Sequence, residues 1–436
     1  MHPDTMNILL LGSGGREHAI SWKLTQSPLC SRLFIAPGNA GTAQCGTNLP
    51  FAVNDFEEIR KACIKHKIDM VIVGPEEPLV NGVVDLLRAD ERLANLMIIG
   101  PSGEAAQLEG SKAFAKSFME RHGIPTAAYR EFTADNFEEG IQYLQQHALP
   151  IVLKADGLAA GKGVIICQNY VEAIAEFELM IQRSKFGEAG KRVVVEEFLT
   201  GIELSMFVLT DGRHHLVLPE AKDYKRVGEG DKGLNTGGMG AISPVPFADP
   251  SFMEKVQKKI IDPTIAGLQK ERLEYRGFLF LGLMKVGDEP YVIEYNCRMG
   301  DPETEAVLPR IKNDLVELLR ATAREELSTM KIDIDPRHCA TIVAVSGGYP
   351  NNYTKGYPVT MPETIEPDTF LFHAGTRYEG GRTITNGGRV VCATALAPML
   401  DEALERARDL VEALSFEDKY FRRDIGFEFV ADEQPT

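Results

Sequence analysis

Two separate stretches of the chain carry the residue types and spacing that suit a triphosphate and its metal ion. The first is 151–167, IVLKADGLAAGKGVIIC, in which two apolar runs flank a loop of small residues. Strands joined by such a loop expose backbone N–H groups that can approach a phosphate closely. Lys154 and Lys162 add cationic donors. The glycines of the loop are Gly157, Gly161 and Gly163. The stretch predicts a hairpin that clamps a nucleoside triphosphate.

Spacing excludes a Walker A loop here. That motif reads G-x-x-x-x-G-K-[ST] and opens a helix. The interval from Gly157 to Gly161 is one residue too short, and Gly163 stands where a Ser or Thr would hold the metal. A strand-like run follows instead of a helix. A glycine-rich hairpin without a ligand remains the alternative for this stretch taken alone.

The second stretch, 277–305, has the composition of a magnesium site. Two apolar runs joined by Gly-Asp-Glu-Pro predict another hairpin. Glu294 and Asn296 lie two residues apart on its second strand and so share a face, while the residues on either side of Glu294 are expected to face the core. A carboxylate and an amide oxygen suit Mg²⁺, which keeps waters and phosphate oxygens as other ligands. Arg298 continues that face, and the alternative is a structural ion pair.

Residues 6–100 predict a parallel sheet that would position further ligands. Near-continuous apolar strands alternate with helical segments, a pattern typical of a sheet covered on both faces. Ligands bind beyond the carboxyl ends of such strands. The loops at those ends are 12–18, 37–42 and 74–79. In the first loop, Gly14, Gly15 and Arg16 at a helix N-terminus suit a phosphate, and the alternative is a tight turn that needs glycine for its backbone alone.

A small α+β unit is predicted at 124–198, and it would act as a lid. Its last strand ends in EEFL, residues 196–199, whose backbone can bond to adenine and whose apolar side chains can pack on the ring. Glu203 follows where a ribose hydroxyl could be accepted. An ordinary strand end is the alternative for each residue. The polar, glycine-rich run 220–239 predicts a substrate loop or a surface loop.

The C-terminal part predicts a third, α+β domain. Runs 338–346 and 389–397 are strand-like, and 399–414 has the apolar stripe of an amphipathic helix. The fold expected is a multidomain α/β and α+β chain, with an N-terminal parallel α/β domain, a central module with a lid, and the α+β domain. The expected boundaries are 1–102, 103–329 with the lid at 124–198, and 330–436.

Bulk composition restricts the class of protein. The chain has 436 residues, 44% of them hydrophobic, and a formal net charge of −16. The acidic balance argues against a nucleic-acid partner, and no apolar run reaches the roughly 20 residues of a membrane span. The seven cysteines show no C-x-x-C pair, which favours free thiols in a reducing compartment. A cytoplasmic protein is expected.

Eight motifs in order resemble the ATP-grasp superfamily and, within it, the phosphoribosylamine–glycine ligase family. They are GSGGREHA, PGNAGT, IDMVIVGPEEPLV, QLEGSKAFAK, IVLKADGLAAGKGV, VVVEEFLTG, KRVGEGDKGLNTGGMGA and VIEYNCRMGDPETE. The resemblance covers residues 7–430. It implies an N-terminal domain for the phosphoribosylamine, a two-part ATP-grasp module with a mobile lid, and a C-terminal domain that closes the site. The activity implied is ATP-dependent joining of glycine to 5-phosphoribosylamine through glycyl phosphate, in purine biosynthesis.

The resemblance also implies roles for individual residues. ATP would be contacted by Lys112, Lys154, Glu196, Glu197, Phe198, Leu199 and Glu203, with its phosphates under Gly157, Gly161, Lys162 and Gly163. Mg²⁺ or Mn²⁺ would be held by Glu294 and Asn296. The ribosylamine would be bound by Gly14, Gly15, Arg16, Glu76 and Pro78. Glycine and the transferred phosphate would be surrounded by Asp223, Lys225, Arg298 and Asp301.

Two other functions remain open at this stage. One is an ATP-grasp ligase that activates a different acid, such as bicarbonate in a biotin carboxylase, or formate. The other is a non-catalytic nucleotide sensor on the same fold, against which the intact Glu294, Asn296 and Arg298 argue. The partners implied are glycine, 5-phosphoribosylamine and ATP, without nucleic acid or membrane. A monomer is expected, and a transient contact with the enzyme that supplies the unstable amine is left open.

Overall fold

The N-terminal part of the protein is a parallel α/β layer, as its apolar strands predict. The structure, a computed structural model, describes residues 5–158, 163–183 and 185–430. The first elements are β1 (Met6–Gly12), α1 (Gly15–Thr25), β2 (Cys30–Pro37), α2 (Thr42–Cys45), β3 (Thr47–Asn48), α3 (Phe56–Lys65), β4 (Met70–Val73), α4 (Glu76–Val80), α5 (Val83–Ala89), β5 (Met97–Pro101), α6 (Gln107–Gly110) and α7 (Lys112–Arg121). The five strands pair in parallel in the order β5-β4-β1-β2-β3.

Two helical segments of the N-terminal layer are interrupted, each at an identifiable residue. The first divides into α4 and α5 at Gly82, which has a φ of +87°. A left-handed residue cannot continue a right-handed helix, and glycine adopts that conformation at little cost. The second divides into α6 and α7 at Ser111, whose side chain caps α7 by accepting the Phe114 N–H.

The lid predicted at 124–198 is a four-stranded antiparallel unit with a core of its own. Its elements are β6 (Tyr129–Thr133), α8 (Phe137–Gln146), β7 (Ile151–Ala155), β8 (Val164–Cys167), α9 (Tyr170–Ile181) and β9 (Arg192–Glu197), with strand order β6-β9-β7-β8. The predicted glycine hairpin is confirmed, because Lys154 on β7 pairs with Val164 on β8. Gly161 and Lys162 lie outside the described residues. Phe132, Leu153 and Phe177 belong to a core cluster separate from those of the rest of the chain.

One long strand joins the central segment to the N-terminal layer. The central elements are β10 (Ile202–Thr210), β11 (His215–Val217), β12 (Lys222–Asp223), β13 (Arg226–Gly228), β14 (Lys232–Asn235), β15 (Gly240–Ser243), α10 (Pro250–Val256), α11 (Asp262–Lys270), β16 (Tyr275–Val286), β17 (Glu289–Asn296), α12 (Glu303–Val307) and α13 (Leu315–Ala323). The start of β16 pairs with β5, and its remainder lies between β10 and β17. A single nine-stranded sheet therefore carries both the N-terminal loops and the second hairpin.

The C-terminal sheet takes two of its strands from the central segment. Its own elements are β18 (His338–Val345), β19 (Thr369–His373), β20 (Thr376–Glu379), β21 (Arg382–Thr385), β22 (Arg389–Ala397) and α14 (Leu400–Ala413). The strand order is β12-β15-β18-β22-β19. The run predicted as a loop at 220–239 thus contains three short strands, of which β12 is built into this sheet and β13 pairs with β14.

Arg422, near the end of the described residues, holds the segment 220–239 against the C-terminal domain. Arg422 is fully buried, and its guanidinium pairs with Asp231 at 2.8 Å and with Asp424 at 2.8 Å. It also donates to the Arg226 carbonyl at 3.1 Å and lies over the ring of Tyr224. A buried guanidinium with two carboxylates and a carbonyl has its charge and donors satisfied. The segment around β12 and β13 is consequently held against the C-terminal domain.

Candidate active site

Two adjoining cavities meet at the end of β17, and the two stretches singled out in the sequence converge there. Their volumes are about 180 and 590 Å³. The residues that line both are Glu76, Ile293, Glu294, Asn296 and Arg298. Lys154, from the glycine hairpin, lines the first cavity together with Glu294. Residues about 140 positions apart in the chain therefore face one cleft, since β7 lies over β17.

Lysines crowd the first cavity around one buried carboxylate. Lys154 Nζ lies 2.9 Å from Glu196 Oε2, and Lys116 Nζ lies 3.2 Å from Glu196 Oε1. Lys112 Nζ donates to the Gly157 carbonyl at 3.2 Å. Burial lowers the pKa of Lys116 to about 8 and also lowers that of Lys112. Anionic oxygens entering this cavity would meet three ammonium groups, two of which share the Glu196 carboxylate.

Lys116 is a cleft residue that sequence reasoning missed. It follows Lys112 by four residues on α7, which places both side chains on one helical face. The four-residue spacing within QLEGSKAFAK could have indicated that Lys116 shares the cleft, once Lys112 had been identified as a candidate. Its hydrogen bonds to Thr126 Oγ1 and the Ala127 carbonyl, at 2.7 and 3.2 Å, tie the lid's first residues to α7. These long-range partners could not be identified from the motif.

A β-bulge shapes the wall that the two cavities share. Gly282 pairs with Glu294, whereas the next residue, Leu283, pairs with Val292, so Ile293 is the extra residue. Tyr295 faces the core as expected, with its hydroxyl 2.8 Å from that of Thr264. The expectation that both neighbours of Glu294 face the core is wrong for Ile293, which lines both cavities. The bulge turns the strand so that the Ile293 carbonyl accepts a bond from Lys154 at 3.5 Å.

Glu294 and Asn296 fit a divalent cation by their chemistry and surroundings. Glu294 is exposed in the cleft, and among the described residues its carboxylate has neither a hydrogen bond nor an ion pair. Asn296 is buried, and its Oδ1, the atom that could bind a cation, accepts a hydrogen bond from Arg298 Nη2 at 3.3 Å. No group of three acidic, histidine or cysteine ligands occurs within ranges 5–158, 163–183 and 185–430. A two-ligand site suits a cation that also binds phosphate oxygens and water.

Arg298, on the wall that the two cavities share, forms ion pairs with two carboxylates. Its Nε lies 3.2 Å from Glu76 Oε2, and its Nη2 lies 2.8 Å from Glu109 Oε1. The other Glu109 oxygen accepts the Cys297 N–H at 2.8 Å. Burial disfavours charge here, but Glu109 and Glu76 outweigh it and raise the pKa of Arg298. Glu109 was not singled out from the sequence, although it lies in the same motif as Lys112.

A chain of alternating charges lines the second cavity. Lys225 Nζ lies 2.6 Å from Glu203 Oε2 and 3.9 Å from Asp223 Oδ1. Burial raises the pKa of Asp223, and the Lys225 ammonium lowers the pKa of Glu203. Burial, with the nearby Asp223, also raises the pKa of Glu303 to about 7. Glu203 faces this cavity, on the far side of the shared wall from Lys154. Its expected role as a ribose acceptor stays a prediction.

The helix N-terminus expected to bind a phosphate already has carboxylate partners. The Gly14 N–H donates to Glu17 Oε2 at 2.7 Å, and the Arg16 N–H donates to Asp301 Oδ2 at 3.3 Å. The Arg16 guanidinium lies 2.7 Å from Glu17 Oε1, and its side chain lines the second cavity. Gly14, Gly15 and the buried Pro78 are not among the residues that line either cavity. Ribosylamine binding by these residues stays a prediction.

Only part of the expected adenine contact reaches the first cavity. Glu196 lines it, but Glu197, Phe198 and Leu199 do not. Glu197 instead accepts the Ala128 N–H at 3.0 Å, and Phe198 is 40% exposed. An exposed aromatic beside a cleft could still cover a planar ligand. The adenine contacts of these three residues stay predictions.

The fold and the cleft together define an ATP-grasp protein: an antiparallel lid with a glycine hairpin faces a second hairpin that carries Glu294 and Asn296. Three family models match in succession. They are described as the N domain of phosphoribosylglycinamide synthetase at 6–109, its ATP-grasp (A) domain at 110–304, and its C domain at 339–428. The chain belongs to the phosphoribosylglycinamide synthetase family. A family of this class implies ATP and a divalent metal ion.

Full-length relatives agree with that assignment. A phosphoribosylamine–glycine ligase of Pasteurella multocida is 46% identical over 432 residues, covering 98% of this chain and 99% of the relative. A bifunctional purine biosynthetic protein of Pichia angusta is 45% identical over 97% of this chain. The chain spans 54% of that protein's length.

Solved structures show the same architecture. A phosphoribosylamine–glycine ligase from Thermotoga maritima, known from its crystal structure, is 36% identical in sequence to this chain, with a TM-score of 0.83. The match spans 96% of this chain and 99% of that one. A biotin carboxylase domain from Hydrogenobacter thermophilus is 15% identical, with a TM-score of 0.72 over 95% of this chain and 92% of that one. The second likeness shows the fold alone. Within the described residues, no helix is both long and apolar enough to span a membrane.

Proposed function

We propose that the protein joins glycine to 5-phosphoribosylamine, using ATP, to give glycinamide ribonucleotide, ADP and phosphate in purine biosynthesis. The observation that carries the proposal is the wall shared by the two cavities, where Glu294 and Asn296 lie between the lysines of the first and the charged groups of the second. A phosphoryl group held in the first cavity would be within reach of an acid in the second. The names of the full-length relatives support glycine and the ribosylamine as substrates.

The first cavity would hold the triphosphate. Lys154 and Lys112 would bind its oxygens, with Gly157 and Gly163 of the hairpin loop alongside. Glu294 and Asn296 would hold Mg²⁺ or Mn²⁺, which when bound neutralises charge on the phosphate oxygens. The lid has a separate core, so it can move as a unit and exclude water from an acyl phosphate.

The second cavity would hold the substrates. The glycine carboxylate oxygen attacks the γ-phosphorus, the bond to ADP breaks, and glycyl phosphate forms. The ribosylamine nitrogen then attacks the glycyl carbonyl, phosphate leaves, and the nitrogen loses a proton. Arg298 and Lys225 would orient the anionic groups, and Asp223 would face the glycine ammonium. No side chain has to act as a nucleophile, because positioning and charge neutralisation supply the catalysis.

The ribosylamine would lie toward the N-terminal layer. Arg16 and Glu76 both line the second cavity, and Asp301 joins them there. We keep the expected contributions of Gly14, Gly15 and Pro78. The two glycines would act through their backbone, and Pro78 would pack beneath the side chains that line the cavity. We keep the domain boundaries 1–102, 103–329 and 330–436, a cytoplasmic location and a monomeric state as parts of this proposal.

A coupled assay of ADP release tests the function. With ATP, Mg²⁺ and freshly generated phosphoribosylamine, we expect ADP to form only when glycine is added. Replacing glycine by bicarbonate or formate is the control for a ligase that activates another acid. ADP release that depends on bicarbonate or formate would contradict the proposal, and so would ATP binding without turnover.

A further inference from the structure

Asp301 and Glu305 form a buried carboxyl pair (the carboxyl pair, below) at the start of α12. Glu305 is completely inaccessible to solvent, and the side chain of Asp301 is 13% exposed. Glu305 Oε2 and Asp301 Oδ1 are both buried, and among the described residues neither receives a hydrogen bond from any N–H or from a hydroxyl, amide or guanidinium group. The two carboxyl groups lie side by side against the N-terminus of α1, Asp301 against Gly14 and Glu305 against Gly15, and each is a hydrogen-bonding neighbour of the other. Two ionised carboxylates have only acceptors, so this contact requires a proton.

The surrounding cations place the negative charge on Asp301. Arg389 Nη2 lies 3.4 Å from Asp301 Oδ1, and the Arg16 N–H donates to Asp301 Oδ2 at 3.3 Å. Within the described part of the chain, the side-chain donor to Glu305 is the weak Cys392 thiol, at 3.5 Å from Oε1. Burial and the Asp301 charge raise the pKa of Glu305 well above its ordinary value. Burial also acts on Asp301, but Arg389 and Arg16 outweigh it and lower its pKa.

Three segments from different parts of the chain meet at Asp301. The N-terminus of α1 contacts Asp301 through the Arg16 N–H. The C-terminal domain contacts Asp301 through Arg389, whose Nη1 donates to the Asp301 carbonyl at 2.7 Å. The same Nη1 donates to the Gly237 carbonyl at 2.9 Å, and this bond links the segment 220–239 to Arg389. Arg16, Gly237, Asp301 and Arg389 all line the second cavity.

We propose that Glu305 is a protonated positioning residue, which donates a hydrogen bond to Asp301 and so fixes the junction of these three segments around the second cavity. Asp301 then offers one oxygen to Glu305 and the other to α1. Loss of the Glu305 proton would set two buried carboxylates against each other. The segments that Asp301 joins would be pushed apart, and the cavity wall would lose its geometry.

Few other titratable groups face Glu305. From α1 the group that acts on the carboxyl pair is Arg16, and from β22 they are Arg389 and Cys392. The segment 308–310, which also packs on α12, carries Arg310, and the charges that act on it come from Glu220, Cys339 and Asp335. Strand β15, which packs on α12, has no titratable side chain. On β18, the charges that act on His338 and Cys339 come from Arg310, Arg337, Asp335 and Asp401 and not from Glu305. On α12 itself, burial and Asp223 raise the pKa of Glu303 to about 7. Glu303 is present in both the wild type and a Glu305 variant, so a comparison of the two proteins isolates the titration of Glu305.

The test compares the pH dependence of unfolding in the wild type and in Glu305→Gln. An unfolded glutamate loses its proton near pH 4.3, whereas the folded protein keeps it. Above that pH, the wild type therefore takes up one proton when it folds. Because the glutamine variant takes up none at this position, the free energy of unfolding of the wild type falls relative to that of the variant as the pH rises. The ratio of the wild-type to the variant unfolding constant should rise about tenfold per pH unit between about pH 5.5 and 7.5. Glu402→Gln, an exposed change on α14, should leave that ratio flat.

A flat ratio for Glu305→Gln would overturn the proposal, because it would mean that Glu305 is ionised in the folded protein. Should this variant fail to fold, Glu305→Leu gives the same proton comparison. An infrared difference spectrum, wild type minus variant at about pH 7.5, should show the band of a protonated carboxyl. A carboxylate band in its place would also overturn it.

A second readout rests on the proposed function. Glu305→Gln should keep most of the wild-type kcat/KM, because its amide can donate the same bond. Glu305→Leu should lose about tenfold. The unfolding and infrared measurements need no substrate, so they would stand even if the proposed reaction were wrong.

Discussion

Replacing Glu294 by alanine is expected to lower turnover about 100-fold and to leave the free energy of unfolding nearly unchanged. The carboxylate is exposed in the cleft and, within the part of the chain described, has no hydrogen bond or ion pair to lose. Its removal should therefore change stability by less than about 0.5 kcal/mol. A metal ion supplies several kcal/mol of charge stabilisation, and about 3 kcal/mol corresponds to roughly 100-fold in rate. Steady-state kinetics at saturating ATP, together with urea denaturation, measure both quantities.

Glu289→Gln is the matched control for this prediction. Glu289 lies on the same strand, β17, but its carboxylate pairs with Lys255 at 2.9 Å, away from both cavities. Its neutralisation should leave turnover unchanged. Full activity of Glu294→Ala at saturating Mg²⁺ would contradict the metal assignment. So would an equal loss of activity in the two variants.

Replacing Arg298 by alanine should abolish measurable activity and also destabilise the fold by about 3–5 kcal/mol. The guanidinium joins Glu76 and Glu109, and the Glu109 side chain is only 7% exposed. Breaking a buried ion pair leaves an uncompensated charge, and this is the origin of the large loss. Activity should fall as well, because Arg298 faces both cavities. Chemical denaturation and the ADP-release assay report the two effects separately.

A second substitution separates the two effects of Arg298→Ala. Adding Glu109→Gln removes the orphaned charge, so the double variant should regain about 1–3 kcal/mol of stability without regaining activity. Arg276→Ala is the control, because that guanidinium is 38% exposed and its pair with Glu325 should contribute at most about 1 kcal/mol. Restored activity in the double variant would show that Arg298 acts only through folding.

Much of the fold followed from local patterns in the chain. Continuous apolar strands predicted the parallel N-terminal sheet, and small residues between two apolar runs predicted the hairpin around Gly157. The two-residue spacing of Glu294 and Asn296 correctly placed both side chains at one cleft. These features depend on neighbours within about ten residues, where strand periodicity and glycine content are informative.

The parts that could not be predicted depend on contacts between distant segments. The bulge at Ile293 arises from the pairing of β17 with β16, and the C-terminal sheet includes β12 and β15 from the central segment. Glu109 and Lys116 looked like ordinary helical charges until the fold placed Arg298 and Glu196 beside them. The glycines at the start of α1 suggested a phosphate site, but no local pattern indicated that Glu17 would accept the Gly14 N–H.

A crystal structure with a non-hydrolysable ATP analogue and Mg²⁺ tests most directly whether the two hairpins serve one triphosphate. The lysine at 154 should contact phosphate oxygens from the lid side. The carboxylate at 294 should bind a cation on the terminal phosphate from the opposite wall. A nucleotide bound outside this cleft, or one that contacts Lys154 while its metal ion is bound away from Glu294, would contradict the account.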